Sequence, residues 1–419
     1  MRSSTFTIAM LLSFAINAWS QDSLLLQTLQ EHRHDVHLND GTLRGAGADL
    51  LQTEAKSGQF MLIGEDHGLA ELPQFTAALY HHLTPVGYHY FATETGPFTA
   101  SLLQEMAQRP GFMNDLRDTL TKYPWSIPFY NMSEEAEMLQ SIMQDRRPEE
   151  AVIWGLDQEF IGASRLLLPR LQDQAANAAG QKTIRDYSDR ARSGFLKTMA
   201  EKNPASIFFY SATPDDFTII RNSLNDDPAA RRLIDELEES WEIYHLFFQR
   251  EGYASNRQRA EMMKRHFLEY YRAAKMKEEH PKVLFKFGAN HMYRGANGLN
   301  VFDIGNFINE LASQEATASF HLYVVGKGGT QNAFTPFADE SARQKPYDAK
   351  NYLDRIDLTP VLDLSPDGHW SLFDLRPLRQ LLFSKQIRDL DPALEKVIWS
   401  YDALLVIPEV HASGNVVTR

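Results

Sequence analysis

The stretch that most constrains this chain is Phe60-Met-Leu-Ile-Gly-Glu-Asp-His-Gly-Leu-Ala-Glu71. Four apolar residues run into Gly64, and Glu65, Asp66, His67 and Glu71 follow at once. A short run that is apolar at every position reads as a strand buried on both faces, as in a parallel sheet. Charged groups at its end then lie on the carboxyl edge of the sheet, where α/β proteins place their chemistry. Two later segments share the design. Tyr90-Phe-Ala-Thr-Glu94 ends in a carboxylate, and Val283-Leu-Phe-Lys-Phe-Gly-Ala-Asn-His291 ends in a histidine. The expectation is that these three strand ends converge.

The remaining pattern predicts an α/β fold with a mostly parallel sheet flanked by helices. Strands are expected at 60–64, 88–93, 151–157, 283–287, 320–325 and 403–407. Helices are expected at 23–33, 70–83, 98–108, 133–145 and 302–311. Residues 39–42 and 45–47 read as turns, and 369–386 as mostly helical beyond Trp370. The aromatic, proline-bearing segment 110–132 reads as an irregular loop or a pocket wall, and 326–351 as a long surface loop. Between about 160 and 280 the periodicity is helical, with Ala260, Met263, Phe267, Tyr270 and Ala274 forming one buried stripe. This is a large helical insertion within a single domain spanning 21–419.

Residues 1–20 carry the marks of a secretory signal peptide: Arg2, an apolar run from Phe6 to Ala15, and Ala18-Trp19-Ser20 before a mature start at Gln21. That implies a periplasmic or secreted protein. The chain has no cysteine, which removes disulfides, thiolate metal ligands and a cysteine nucleophile. A net charge of -13 argues against nucleic acid as a partner. No other stretch has the length of a membrane span. A small-molecule substrate is the expected partner, and the oligomeric state is not legible.

The groups available for chemistry are Glu65, Asp66, His67, Glu71, Glu94, Asp157, Arg259, His266, His291 and Arg294. Serine nucleophile elbows, phosphate loops, dinucleotide fingerprints and His-Glu-x-x-His are all missing. The scheme that remains is water activated by a histidine, with carboxylates to orient it and arginine to meet negative charge. Arg259, Met263 and His266 share one helix face. Asp66 and Glu71 can instead cap the helix that follows them. No cofactor is required by any motif. The same histidines and carboxylates could instead serve a metal ion, which no compact ligand motif demands.

Gly64-Glu-Asp-His-Gly-x-x-Glu71, the Glu94 strand end, Arg259-Ala-Glu-Met-Met-Lys-Arg-His266 and Gly288-Ala-Asn-His291, in that order, resemble the erythromycin esterase and ChaN-like superfamily. The tail segments Trp370–Pro377 and Tyr401–Ile407 are similar to it as well. The resemblance implies an α/β core with extra helices and a metal-free hydrolysis of a lactone or related acyl bond. It implies His67 as the base for water, Glu65 as its companion and Glu94 as the group positioning water or substrate. Arg259 and His291 would line the pocket and assist the carbonyl oxygen. Glu71, Asp157, His266 and Arg294 are the expected substrate contacts. Two departures from the family pattern are visible. One residue separates Glu65 from His67 where the esterases usually have two, and His266 stands where they have asparagine. The superfamily also holds iron- or haem-associated proteins, so a metal-binding protein of the ChaN-like branch is the alternative.

Overall fold

All six residues of the strand Phe60–Glu65 are buried, and parallel neighbours pair with it on both sides. The computed structural model describes residues 23–144, 151–333, 335, 342–352 and 356–417. The signal-peptide reading of 1–20 lies outside these. The strands are β1 (Arg33–Asn39), β2 (Thr42–Arg44), β3 (Phe60–Glu65), β4 (Tyr88–Thr93), β5 (Ile153–Gly155), β6 (Lys282–Gly288), β7 (Ser319–Gly326), β8 (Gly328–Asn332), β9 (Gln344–Asp348), β10 (Trp370–Asp374) and β11 (Ala403–Ile407). Nine of them form one sheet in the order β2-β1-β10-β11-β7-β3-β6-β4-β5. The six from β11 to β5 are parallel, and β10, β1 and β2 add an antiparallel margin. The sheet is thus mixed but mostly parallel, and many helices flank it.

The parallel strands are recognisable because burial on both faces demands apolar side chains throughout. The helix Glu71–Leu83 follows β3 and buries Leu72, Phe75, Leu79 and Leu83 at helical spacing. The helix Ser133–Met143 turns Met138, Leu139, Ile142 and Met143 inward. Between β5 and β6 the chain makes a helical excursion whose principal members are Ala178–Glu201, Pro228–Phe248 and Gly252–Lys275. The last of these docks on the sheet through Phe267, whose ring lies 5.6 Å from that of Phe285 and 6.0 Å from that of Phe60. Truncating a buried phenylalanine of this kind costs about 3–5 kcal/mol.

Four expectations are corrected. Residues 326–351 are not one long loop: β8 and β9 pair as an antiparallel hairpin. The polar run Gly-Gly-Thr-Gln-Asn gives no apolar signal, because the pair is held by backbone hydrogen bonds. Within 369–386 the first part is β10, and the helix is confined to Arg376–Phe383. Residues 33–44 form β1 and β2 around the expected 39–42 turn, but 45–47 opens the helix Ala46–Ser57 instead of forming a turn. Segment 110–132 contains the helix Phe112–Lys122, and only its second half is irregular.

Candidate active site

The register of β3 on β6 sets Glu65 beside Gly288, and that of β4 on β6 sets Thr93 beside Lys286. Three carboxyl ends therefore meet at one point. Past β3 the chain turns through Gly68, whose φ of 86° suits glycine and whose Cβ would strike the Asn332 carbonyl oxygen. This turn returns the His67 ring over the strand end. Its Nδ1–H donates to Glu65 Oε1 at 2.8 Å. Its Nε2 faces Glu94 Oε2 at 3.5 Å, too long for a good hydrogen bond. A Cβ on Gly288 would lie 2.9 Å from His67 Nε2 and 3.3 Å from Glu94 Oε2, so that position must lack a side chain.

Glu94 is the hub. Its Oε2 accepts the Gly288 N–H at 2.6 Å, and its Oε1 accepts from Arg259 Nη2 at 2.9 Å. His291 Nε2 stands 3.3 Å from the same Oε1. Burial works to neutralise this carboxyl, but His291, His67 and Arg259 outweigh it and hold it ionised, well below the usual carboxylate range. Arg259 also grips Asp157, through Nε to Oδ1 at 2.7 Å and Nη2 to Oδ2 at 2.6 Å. His291 donates from Nδ1 to Asp303 Oδ2 at 2.9 Å. Burial opposes its charge, yet Asp303 and Glu94 push its pKa up to about 10, so it is an imidazolium at neutral pH. For His67, too, burial opposes the charge, and the Glu94 charge and the Glu65 hydrogen bond raise its pKa above the ordinary 6.5.

Beneath Glu65 lies a group that the sequence reading did not single out. Lys286, in the middle of β6 and 5% exposed, donates from Nζ to Glu65 Oε1 at 2.7 Å and to Glu135 Oε1 at 2.6 Å. Glu65 is held below its ordinary value: burial raises it, and Lys286 and His67 together more than reverse that. Glu135 is raised, because burial and the Glu65 charge outweigh Lys286. A lysine inside an otherwise apolar run was the available signal, since an ammonium is buried only where it is paired. Asp303 and Glu135 gave no such signal, being ordinary polar residues at helix starts.

The site opens on a cleft of about 470 Å³ lined by His67, Glu94, Asp157 and Arg259 at its polar end. Its walls are apolar: Phe129 and Phe160 from the loops, Tyr210, Tyr244 and Phe247 from the helical excursion. This size and mixture suit a small-molecule site. Phe129 stacks on the His67 ring, centroids 4.3 Å apart at 31°. It does so from a left-handed backbone, φ 60°, which a bulky residue adopts only when its surroundings enforce it.

Glu65, His67, Glu94, Asp157, Arg259 and His291 are thus brought together. Three expected substrate contacts are placed elsewhere. Glu71 accepts from the His411 backbone N–H at 2.9 Å and from its Nδ1 at 2.7 Å, tying the carboxyl-terminal segment to the helix start. His266 is buried and donates to the Leu156 carbonyl at 2.8 Å and to Glu236, bracing the excursion against the sheet. Arg294 clamps Asp402, Asn309 and the Ser319 carbonyl at the amino-terminal ends of β7 and β11, the edge away from the cleft. Asp66 does not cap the helix. It accepts from Tyr347 Oη at 2.7 Å, and burial lifts its carboxyl to about 6.

Each of the two imidazoles at the site lies between two carboxylates, an arrangement that favours the protonated ring over a metal-bound one. Among the described residues no group of three or more His, Asp or Glu side chains is disposed to hold a metal ion. Among them, too, no helix is long and apolar enough to cross a membrane.

Fold and site define an α/β protein with a polar centre at the carboxyl edge of its sheet and a helical roof over it. No protein-family model matches the chain, and no curated protein matches it. Solved structures do. An erythromycin esterase variant in its open conformation matches with a TM-score of 0.61 and 14% identity, over 92% of this chain and 100% of that one. A succinoglycan biosynthesis protein matches with a TM-score of 0.58 and 13% identity, over 94% and 98%. A protein from Bacillus cereus matches with a TM-score of 0.57 and 15% identity, over 95% and 99%. At the level of fold, the chain is similar to these three solved structures.

Proposed function

We propose that this protein is a hydrolase that cleaves an ester, lactone or other acyl bond with water activated by His67. The observation that carries the proposal is the imidazole poised between Glu65 and Glu94 at the polar end of a cleft with apolar walls. Glu65 accepts the Nδ1 proton, which fixes the tautomer and leaves Nε2 as the basic atom. Nε2 takes a proton from water as the water oxygen attacks the acyl carbon. Negative charge then develops on the carbonyl oxygen. Arg259 uses Nε and Nη2 for its carboxylates, and Nη1 remains to meet that oxygen. Glu94 aligns Arg259, His291 and His67 and does not itself act as a base, because its charge is fully engaged. The proton returns to the leaving alkoxide from His67.

The test is a panel of esters and lactones with His67→Ala and Glu65→Gln. Both variants are expected to keep the melting profile of the parent, since Lys286 retains Glu135, and to lose turnover by about 10²–10⁴-fold. Hydrolysis unaffected in both would overturn the assignment. The amino-terminal segment adds the proposal that the enzyme works in the periplasm or outside the cell. A mature chain that begins at Met1 in the expressing cell would contradict it.

A further inference from the structure

A second hollow, sharing no lining residue with the cleft, lies where the helix Ala178–Glu201 passes residues 121–124. It encloses about 700 Å³, against about 470 Å³ for the cleft. We propose that this groove binds a single-chain organic anion, a carboxylate or phosphate head on an apolar tail. Lys122, Arg165, Arg185 and Arg192 line it, with Asp189 as the one acid in the lining. In a chain of net charge -13 that local excess is selective for anions. Elsewhere on the same helix the charges are matched, Lys182 by Asp186 and Arg190 by Asp216. Among the described residues Lys122, Arg185 and Arg192 make no such ion pair.

The groove has a rigid cationic member. Arg165 is 6% exposed, donates to the Pro124 carbonyl and lies with its guanidinium 3.4 Å from the Phe195 ring centroid. Apolar lining comes from Pro169, Leu196 and Met199. Leu196 is 58% exposed, an apolar cost that an alkyl chain would relieve. Arg185, Arg192 and Met199 recur every seven residues, so charge and apolar surface lie along one face of one helix. An ion without a tail would leave that surface wet, and a neutral lipid would leave the cations unmatched.

The experiment is calorimetric titration of the full mature chain with decanoate, decyl phosphate and decanol, each below its micelle-forming concentration. Both anions are expected to bind at least about tenfold more tightly than decanol, as charge-assisted contacts require. Arg185→Glu with Arg192→Glu should erase that preference at an unchanged melting temperature. Leu196→Asp, at an exposed position, should weaken both anions without unfolding risk. The proposal is overturned if decanol binds equally well, or if both variants bind decanoate as the parent does. It is also overturned if only phosphatidylglycerol vesicles are bound, which would make the groove a membrane contact. None of these readouts requires ester hydrolysis, so the groove and the cleft are judged separately.

Discussion

The Lys286 ammonium stands 2.7 Å from Glu65 Oε1, the same oxygen that receives the His67 ring N–H. One buried cation therefore keeps the partner of the proposed base ionised inside the protein. Lys286→Met leaves Glu65 and Glu135 facing each other with no positive charge between them. The expected loss is about 3–5 kcal/mol in denaturant unfolding. Adding Glu135→Gln should recover part of it. Equal stability of the single and double variants would show that the two carboxylates are not coupled through Lys286.

The acid limb of kcat/KM should lie above the ordinary histidine value of 6.5, because the charge of Glu94 and the hydrogen bond to Glu65 raise His67 against the effect of burial. The base works only when deprotonated, so activity rises with pH through that value. Glu94→Gln removes the strongest raising influence. It should lower the limb while also reducing the maximal rate, and Lys286→Met should move the limb up. A pH–rate profile of parent and variants reads all three shifts, and an acid limb below 6.5 in the parent would contradict the role of His67.

His291 and Asp303 predict an alkaline weakness. The folded pKa of His291, about 10, exceeds its ordinary 6.5. Its contribution to stability is thus complete below 6.5 and declines as pH rises through about 10, on the order of a few kcal/mol. Asp303→Asn should be less stable at pH 7 and should lose most of this dependence between pH 7 and 10. Thermal melts across that range measure it, and parallel curves for parent and variant would refute it.

Glu159 has the same sign of pH dependence from a different cause, burial of an acid. This fully buried carboxyl accepts the Phe98 N–H at 2.8 Å, the Thr99 N–H at 3.2 Å and the Thr99 hydroxyl at 2.5 Å, capping the helix Pro97–Ala107 from outside it. Burial raises it to about 7 despite those donors. The folded chain therefore holds a proton there that the unfolded chain sheds, and stability falls as pH rises from 4.5 to about 7. Glu159→Gln keeps an acceptor for the backbone and carries no charge. It should flatten that decline and stabilise the protein at pH 8 by up to roughly 3 kcal/mol. A destabilised variant at pH 8 would show that the ionised cap is the better one.

Legibility in the sequence followed burial. β3, β4, β6 and β11 stood out because both their faces are covered, and their apolar runs admit no other reading. β8 and β9 did not, since a polar hairpin held by its backbone leaves no mark in hydropathy. Among the candidate site residues, Glu65, His67 and Glu94 were visible as charges at the ends of apolar runs. Arg259 was visible through helical spacing and resemblance. The partners that set their charge states were hidden: Lys286 sits inside a strand, and Asp303 and Glu135 arrive from helices by tertiary approach. His266 shows the converse. Helical spacing set it on the face of Arg259, and its side chain serves as a brace.

Arg259 belongs to the long excursion between β5 and β6, yet its charge is shared by carboxylates rooted just past β4 and β5. The Arg259 guanidinium thereby helps to latch the roof to the reaction chamber. Tilting the roof outward would strip Glu94 of a counter-ion, and neutralising Glu94 would slacken the roof. Whatever enters the hollow must be admitted without prising that latch.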